Sequence, residues 1–284
     1  MRWQGRRESE NVEDRRGSGG SFGMPINIPL GRGGIGIGGL VALGIISLIF
    51  GINPLTLLQD VSGPAPIQGP RGASEDSLKS FVGVVLGDTE TTWTDIFAKT
   101  GHQYEDPVLV LYSGVVQSGC GNASAAAGPF YCPMDHKLYL DLSFFAELDQ
   151  RFGAPGDFAQ AYVVAHEVGH HVQTLLGLSD KVQAAQASLS KRESNALSVQ
   201  VELQADCYAG VWAYNANSRN LIEPGDIDEA LQAASAVGDD TLQREMQGRV
   251  VPDSFTHGTA AQRSHWFKAG YESGDMNVCN TFAQ

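Results

Sequence analysis

"VVAHEVGHHVQ", residues Val163 to Gln173, carries three histidines and one glutamate between His166 and His171. His166-Glu167-Val168-Gly169-His170 is an H-E-x-x-H pattern. On a helix, residues four apart share a face one turn apart, so His166 and His170 can reach a single cation. Glu167 stands beside them, placed to take a proton from water without ligating the metal itself. His171 points about 140° away round the helix and reads as a surface or packing histidine. Val163, Val164, Val168 and Val172 flank the motif, so its helix is expected to be buried. Two histidines and a glutamate buried without a function would cost roughly 2 kcal/mol or more apiece. A catalytic metal helix is therefore the expectation.

Zinc in a catalytic site takes three protein ligands and leaves a position open. One way to complete the set extends the motif to H-E-x-x-H-x-x-G-x-x-H. This chain has Gln173 where that glycine would fall and Leu176 where the third histidine would fall, which excludes that class. The inverted order H-x-x-E-H is also absent. The remaining route takes a glutamate from a second helix. "QVELQADCYAGVWA", Gln200 to Ala213, offers Glu202 and Asp206, four apart and on one face. Glu202 is the expected third ligand. Asp206 is expected to accept a hydrogen bond from the free ring nitrogen of a ligating histidine and so fix its tautomer.

Around this pair the chain divides into four parts. Residues 1–32 are polar and glycine-rich, with six arginines against four acids, and are expected to be a disordered cytoplasmic tail. Residues 33–53 contain "IGIGGLVALGIISLIFGI", Ile35 to Ile52, long and apolar enough to cross a bilayer. The leader before it is long and no cleavage site follows cleanly, so a signal anchor is preferred to a cleaved signal peptide. Positive residues precede the span, which predicts an inner-membrane, single-pass chain with its N-terminus cytoplasmic and the rest periplasmic. Residues 54–74 form a Pro/Gly linker, and 75–284 the folded domain.

Within that domain the periodicity predicts one helix with Leu78, Phe81, Val82, Val85 and Leu86 and another with Trp93, Ile96 and Phe97. Strands are expected over Val108–Val116 and Lys137–Phe145. Helices follow over about Asp157–Leu176, Glu193–Ala216 and Thr259–Ser273. The result is an α+β domain, mostly helical with a small sheet. The net charge of −13 excludes nucleic acid as a partner. Four cysteines without a CxxC pair suggest two disulfides in an exported domain, Cys120–Cys132 across a small-residue loop and Cys207–Cys279. Four buried thiols are the competing state.

The segments "HEVGHH", "ELQADCYAGVWA", "SGCG", "GPFYCPMDHKLYLDLSFF" and "HGTAAQRSHWFKAGYESGD" together resemble the bacterial neutral zinc metallopeptidase family, over nearly the whole chain. More distantly, the H-E-x-x-H and E-x-x-x-D pair is similar to membrane-associated gluzincin peptidases of the Ste24/HtpX type. The resemblance implies a gluzincin-like fold, one Zn2+ per chain held by His166, His170 and Glu202, and hydrolysis of a peptide or protein substrate with Glu167 as general base. Such a reaction needs a donor for the developing oxyanion. "THGTAAQR" offers His257 as electrophile and Arg263 in support, since a similar pair follows the ligand helix in the Ste24/HtpX-like proteins. His136 and His265 are assigned to structure, and "KLYLDL" is the expected edge strand for an extended substrate. A zinc-stabilised binding scaffold and a hydrolase of non-peptide amides or esters are the alternative functions.

Overall fold

The computed structural model describes residues 1–17 and 73–283. Strand β1 (Val12–Asp14) comes first; after it the described chain resumes with the long helix α1 (Ala73–Thr100). Five strands follow: β2 (Val108–Tyr112), β3 (Val115–Ser118), β4 (Gly121–Ser124), β5 (Phe130–Cys132) and β6 (Lys137–Asp141). The rest is helical: α2 (Phe144–Gln150), α3 (Asp157–Leu175), α4 (Leu178–Gln186), α5 (Lys191–Ser218), α6 (Asp226–Ala236), α7 (Asp239–Gln247) and α8 (Ala260–Ser273). This is the expected α+β arrangement. The two helices expected before β2 are one continuous α1.

The sheet has the order β1-β2-β6-β5, and β3 and β4 form a separate hairpin. β1, β2 and β6 run parallel, while β5 is antiparallel to β6 and forms one edge. Parallel strands are covered on both faces, and the sequence supplies an apolar residue for each. Leu109, Leu111, Leu138 and Leu140 join the main core shared with α1 and α3. Val110, Tyr112 and Tyr139 face the other way, into a smaller core with Val116 and Cys132. Two expectations need correction here. The strand read as 108–116 breaks after Tyr112, because Gly114 turns with φ of 78° and gives its N–H to Asp141 Oδ2 at 2.8 Å. "KLYLDL" is not the edge either: β6 lies between β2 and β5, and β5 takes the edge.

Residues 1–17 are not a disordered tail. Their polar side chains, which made the segment look solvated, bond to groups far along the chain. Buried Glu90 on α1 accepts from Ser9, from Asn11 Nδ2 at 2.9 Å and from Arg7 Nη2 at 2.9 Å. Arg6 donates to the carbonyls of Arg219 and Asn220, at the end of α5. Trp3 packs edge-on against Phe81, with ring centroids 5.5 Å apart. The apolar stretch Ile35–Ile52 and most of the linker lie outside the described residues, and no described helix is long and apolar enough to cross a membrane.

The helical half is fixed by close backbone approach. At Gly210 on α5 and Gly270 on α8 the two helices meet so tightly that an added Cβ would lie 2.0 Å from the carbonyl oxygens of Phe267 and Cys207, respectively. The disulfide Cys207–Cys279 closes the same seam, and Cys120–Cys132 ties the β3–β4 turn to β5. An alanine at position 270 has no side chain to move aside, only backbone. We expect Gly270→Ala to lose about 3 kcal/mol or more of stability, measured by denaturant unfolding under oxidising conditions; a loss below about 0.5 kcal/mol would mean that the helices are free to separate.

Candidate metal centre

His166 and His170 lie on one face of α3, as their spacing requires. Glu202 reaches the same point from α5. His166 Nε2 is 3.2 Å from Glu202 Oε2, and His170 Nε2 is 3.5 Å from Glu202 Oε1. One donor atom from each residue falls within 4.8 Å of the others. Tetrahedral ligands at about 2.1 Å from zinc are separated by roughly 3.4 Å, and the two distances from the histidines to Glu202 are close to that. Nitrogen, nitrogen and carboxylate oxygen are also zinc's preferred donors. The residues fit the metal.

What lets Glu202 come so close is the x position in the motif. Gly169 faces α5, where a Cβ would stand 2.9 Å from the Ala205 carbonyl oxygen. A larger residue would push α5, with Glu202 and Asp206, away from the histidines.

Each histidine is oriented by a partner on its other nitrogen. His166 Nδ1 donates to Asp206 Oδ1 at 2.8 Å, which leaves Nε2 as the free donor atom. Asp206 is fully buried and also accepts from Arg263, Nε to Oδ2 at 2.8 Å and Nη2 to Oδ1 at 2.9 Å, and from the Tyr162 hydroxyl at 2.5 Å. His170 Nδ1 donates to Gln173 Oε1 at 2.9 Å. Gln173 in turn donates to the carbonyl of Val201 at 2.8 Å and to Gln204 Oε1 at 3.1 Å, and Gln204 donates to the carbonyl of Cys279.

The electrostatics follow from this packing. Burial opposes charge on both Asp206 and His166, and the ion pairs outweigh it. Arg263 and His166 hold the Asp206 carboxyl down at about 2. The Asp206 and Glu202 carboxylates hold His166 up at about 10. Glu202, buried as well, lies well below its ordinary range because His170, His257 and His166 face it. Glu167 behaves differently: burial raises it, only partly offset by the two histidines. A carboxylate with a raised pKa in this position is a proton acceptor close to its working range.

The remaining expected residues separate. His257 sits on the loop before α8, with Nδ1 3.3 Å from Asp239 Oδ1. Asp239 Oδ2 accepts the backbone N–H groups of Thr256, His257 and Gly258 at 2.8, 2.6 and 2.9 Å, which fixes the loop. Burial lowers the His257 pKa, and the charges of Glu202 and Asp239 more than reverse this. Arg263, expected in a supporting place, is buried and donates to Asp206. His171 is fully buried and neutral, its pKa pushed down to about 4 by burial.

Four residues in these networks were not anticipated: Tyr162, Gln173, Gln204 and Asp239. Tyr162 is four residues before His166 and Gln173 three after His170, so the same helical periodicity that joins the histidines places both beside them. For Asp239 the sequence holds no such signal, because its partners follow a turn.

The sequence pattern of the family described as "Putative neutral zinc metallopeptidase" matches residues 1–282. The chain is 50% identical over 289 residues to the uncharacterized protein YpfJ of Escherichia coli K12, covering 100% of this chain and 99% of that one. It is 48% identical over 192 residues to the uncharacterized protein Rv2575 of Mycobacterium tuberculosis H37Rv, covering 63% of this chain and 64% of that one. No solved structure matches.

The arrangement makes the Asp206 carboxylate the orienting group for His166. Replacing it by asparagine should weaken zinc binding about 10- to 100-fold, measured by competition with a chromophoric chelator. Because the Asp206 pKa is depressed on folding, its stabilisation is present above about pH 4 and lost as pH falls towards about 2. The metal-free Asp206→Asn protein should therefore show a flatter acid-unfolding profile than the metal-free parent.

Proposed function

The chain belongs to the neutral zinc metallopeptidase family, and we propose that it is a zinc-dependent endopeptidase in which Glu167 is the general base. The observation that carries this reading is the convergence of His166, His170 and Glu202 on one point, with Glu167 following His166 on α3 and feeling the charges of all three. Zinc held by those three residues would supply Lewis acidity, polarising a carbonyl and bringing the pKa of water to about 7.

The protein's own groups divide the remaining work. Glu167 accepts the proton of the attacking water, for which its raised pKa makes it a stronger base than a free carboxylate, and gives it up to the more basic departing amine. Asp206 and Gln173 keep the Nδ1 atoms of His166 and His170 protonated and their Nε2 atoms free. Arg263 acts through Asp206, compensating its buried charge, rather than on the substrate. His257, with Nδ1 turned to Asp239, presents Nε2 as the hydrogen-bond donor for the developing oxyanion.

The substrate would lie along β5, the edge of the sheet. Pro129, which precedes β5, shares a small cavity with Leu138, Tyr139, Leu140 and Glu167. Main-chain pairing at an edge accepts many sequences, which suits a peptide or protein substrate. The two disulfides support an oxidising, extracytoplasmic setting, and the apolar stretch Ile35–Ile52 supports attachment to a membrane.

The decisive comparison sets the parent protein beside Glu167→Gln, with zinc content measured on both and cleavage followed on casein or a peptide library. We expect one zinc per chain in each and a loss of turnover in the variant of about 10³-fold or more. Zinc without any cleavage that depends on Glu167 would favour a zinc-stabilised binding scaffold. Separately, His257→Ala should lower kcat about 10²-fold while leaving zinc bound; an unchanged kcat would remove His257 from the reaction.

A further inference from the structure

His171 follows the second metal-site histidine, and none of the chemistry above uses it. Its ring nonetheless joins three separate segments to α3. Nε2 donates to the carbonyl of Glu105, in the segment entering β2, at 2.7 Å. Nδ1 accepts from the Tyr131 hydroxyl, on the edge strand β5, at 3.1 Å. Tyr104, Tyr131 and His136 surround the ring edge-on, with centroids 5.6, 5.5 and 5.9 Å away. His136 holds a left-handed turn, φ of 57°, between β5 and β6. β5 is the shortest kind of edge, three residues bonded to β6 on one side only. Its placement against α3 therefore depends on contacts such as this one.

We infer that His171 is a positioning residue that fixes the edge strand β5 relative to the metal-bearing helix, and with it the sheet edge along which the proposed substrate would lie. The inference rests on the peptidase reading for its consequence, while the latch itself does not. A misplacement of about 1 Å in a site of this kind can reduce rate or binding about 10²-fold.

The test uses the full chain, with His171→Phe, which keeps a ring but loses both hydrogen bonds, and Tyr131→Phe, which removes a single hydroxyl. Zinc content, hydrogen exchange of the β5 amides and separate kcat and KM values are measured on each. We expect zinc to be retained and β5 exchange to quicken. KM should rise about 10-fold with kcat nearly unchanged, and the double variant should be no worse than His171→Phe alone. Unaltered exchange in both variants would overturn the latch, as would zinc loss in His171→Phe matching that of a ligand variant. Should His171→Phe fail to fold, Tyr131→Phe decides the question by the same readouts. If the parent cleaves no peptide, the peptidase reading fails, and the exchange rates still decide the latch.

The N-terminal arm carries a second, independent inference. Met1–Arg16 belongs to the same compact unit as the domain that starts at Gly72. β1 pairs with β2 in parallel register, Val12 with Leu109 through Asp14 with Leu111. At its end, Arg16 Nη1 donates to the carbonyl of Glu75 at 3.2 Å, and Lys79 Nζ lies 3.2 Å from Asp14 Oδ2. The two ends of the sequence between arm and domain therefore meet at one place. We infer that the arm and the domain occupy the same side of any membrane the chain meets, so the expected topology, with the N-terminus and the domain on opposite sides, does not suit this fold.

Native cysteines are paired, which allows single-cysteine reporters in intact cells. Glu10→Cys on the arm and Arg192→Cys on the domain, both exposed, would be treated with a thiol reagent that does not cross membranes. Equal reactivity or equal shielding at the two positions is the expected result. Labelling of one with shielding of the other would overturn the inference.

Discussion

A carboxylate with no exposed surface, Asp206, is the constraint on which the metal centre depends. A buried charge of this kind is tolerated only when it is paired and fully hydrogen-bonded. Here the pairing draws in three helices: Tyr162 and His166 from α3, Arg263 from α8, and Asp206 itself from α5. None can shift without leaving the charge uncompensated. The orientation of a metal-site histidine is thereby joined to the packing of the helical half. The glycine contacts at positions 169, 210 and 270 serve the same end, since they allow the backbones to approach to where these side chains meet.

The charge pattern around the site is that of a cation receptor. Glu202 and Asp206 are held ionised while His166 is raised to about 10. A proton on His166 and a divalent cation at its Nε2 answer the same negative field, so binding of the ion releases protons and strengthens with pH. Glu167 stands outside this compensation. Its environment is dominated by burial, and it is the one carboxylate of the group whose pKa rises. One small volume thus contains carboxylates of two characters, two whose pKa is held down and one whose pKa is raised.

Much of this was legible in the sequence because it obeys helical periodicity. The i and i+4 spacing put His166 with His170 and Glu202 with Asp206 on common helix faces, and the cysteine pairing was read from the small-residue loop between Cys120 and Cys132 and an exported setting. The failures have a common physical cause. The arm looked disordered because its arginines and serines were read as solvated, whereas they bond to Glu90, Arg219 and Asn220 at distances in sequence that no local pattern reports. β6 was read as an edge because strand order within a sheet is set by long-range pairing, which alternation of Leu138 and Leu140 with Tyr139 does not encode. Arg263 was read only as a supporting residue beside Asp206; that it donates to Asp206 itself was not legible, because the direction in which a residue of α8 points was not available.

The site consequently lies between two kinds of structure. Its ligands come from α3 and α5, crossed at Gly169 and sealed behind by Arg263 and the Cys207–Cys279 disulfide, so their geometry admits little movement. The sheet edge near it is a three-residue strand closed by the Cys120–Cys132 disulfide and fastened to α3 through Tyr131 and His171. A metal centre requires the first, because ligand distances allow error of only about 0.2 Å. In H-E-x-x-H followed by a second histidine, adjacent residues serve the two: His170 turns to Glu202 and His171, about 100° further round the helix, turns to the sheet.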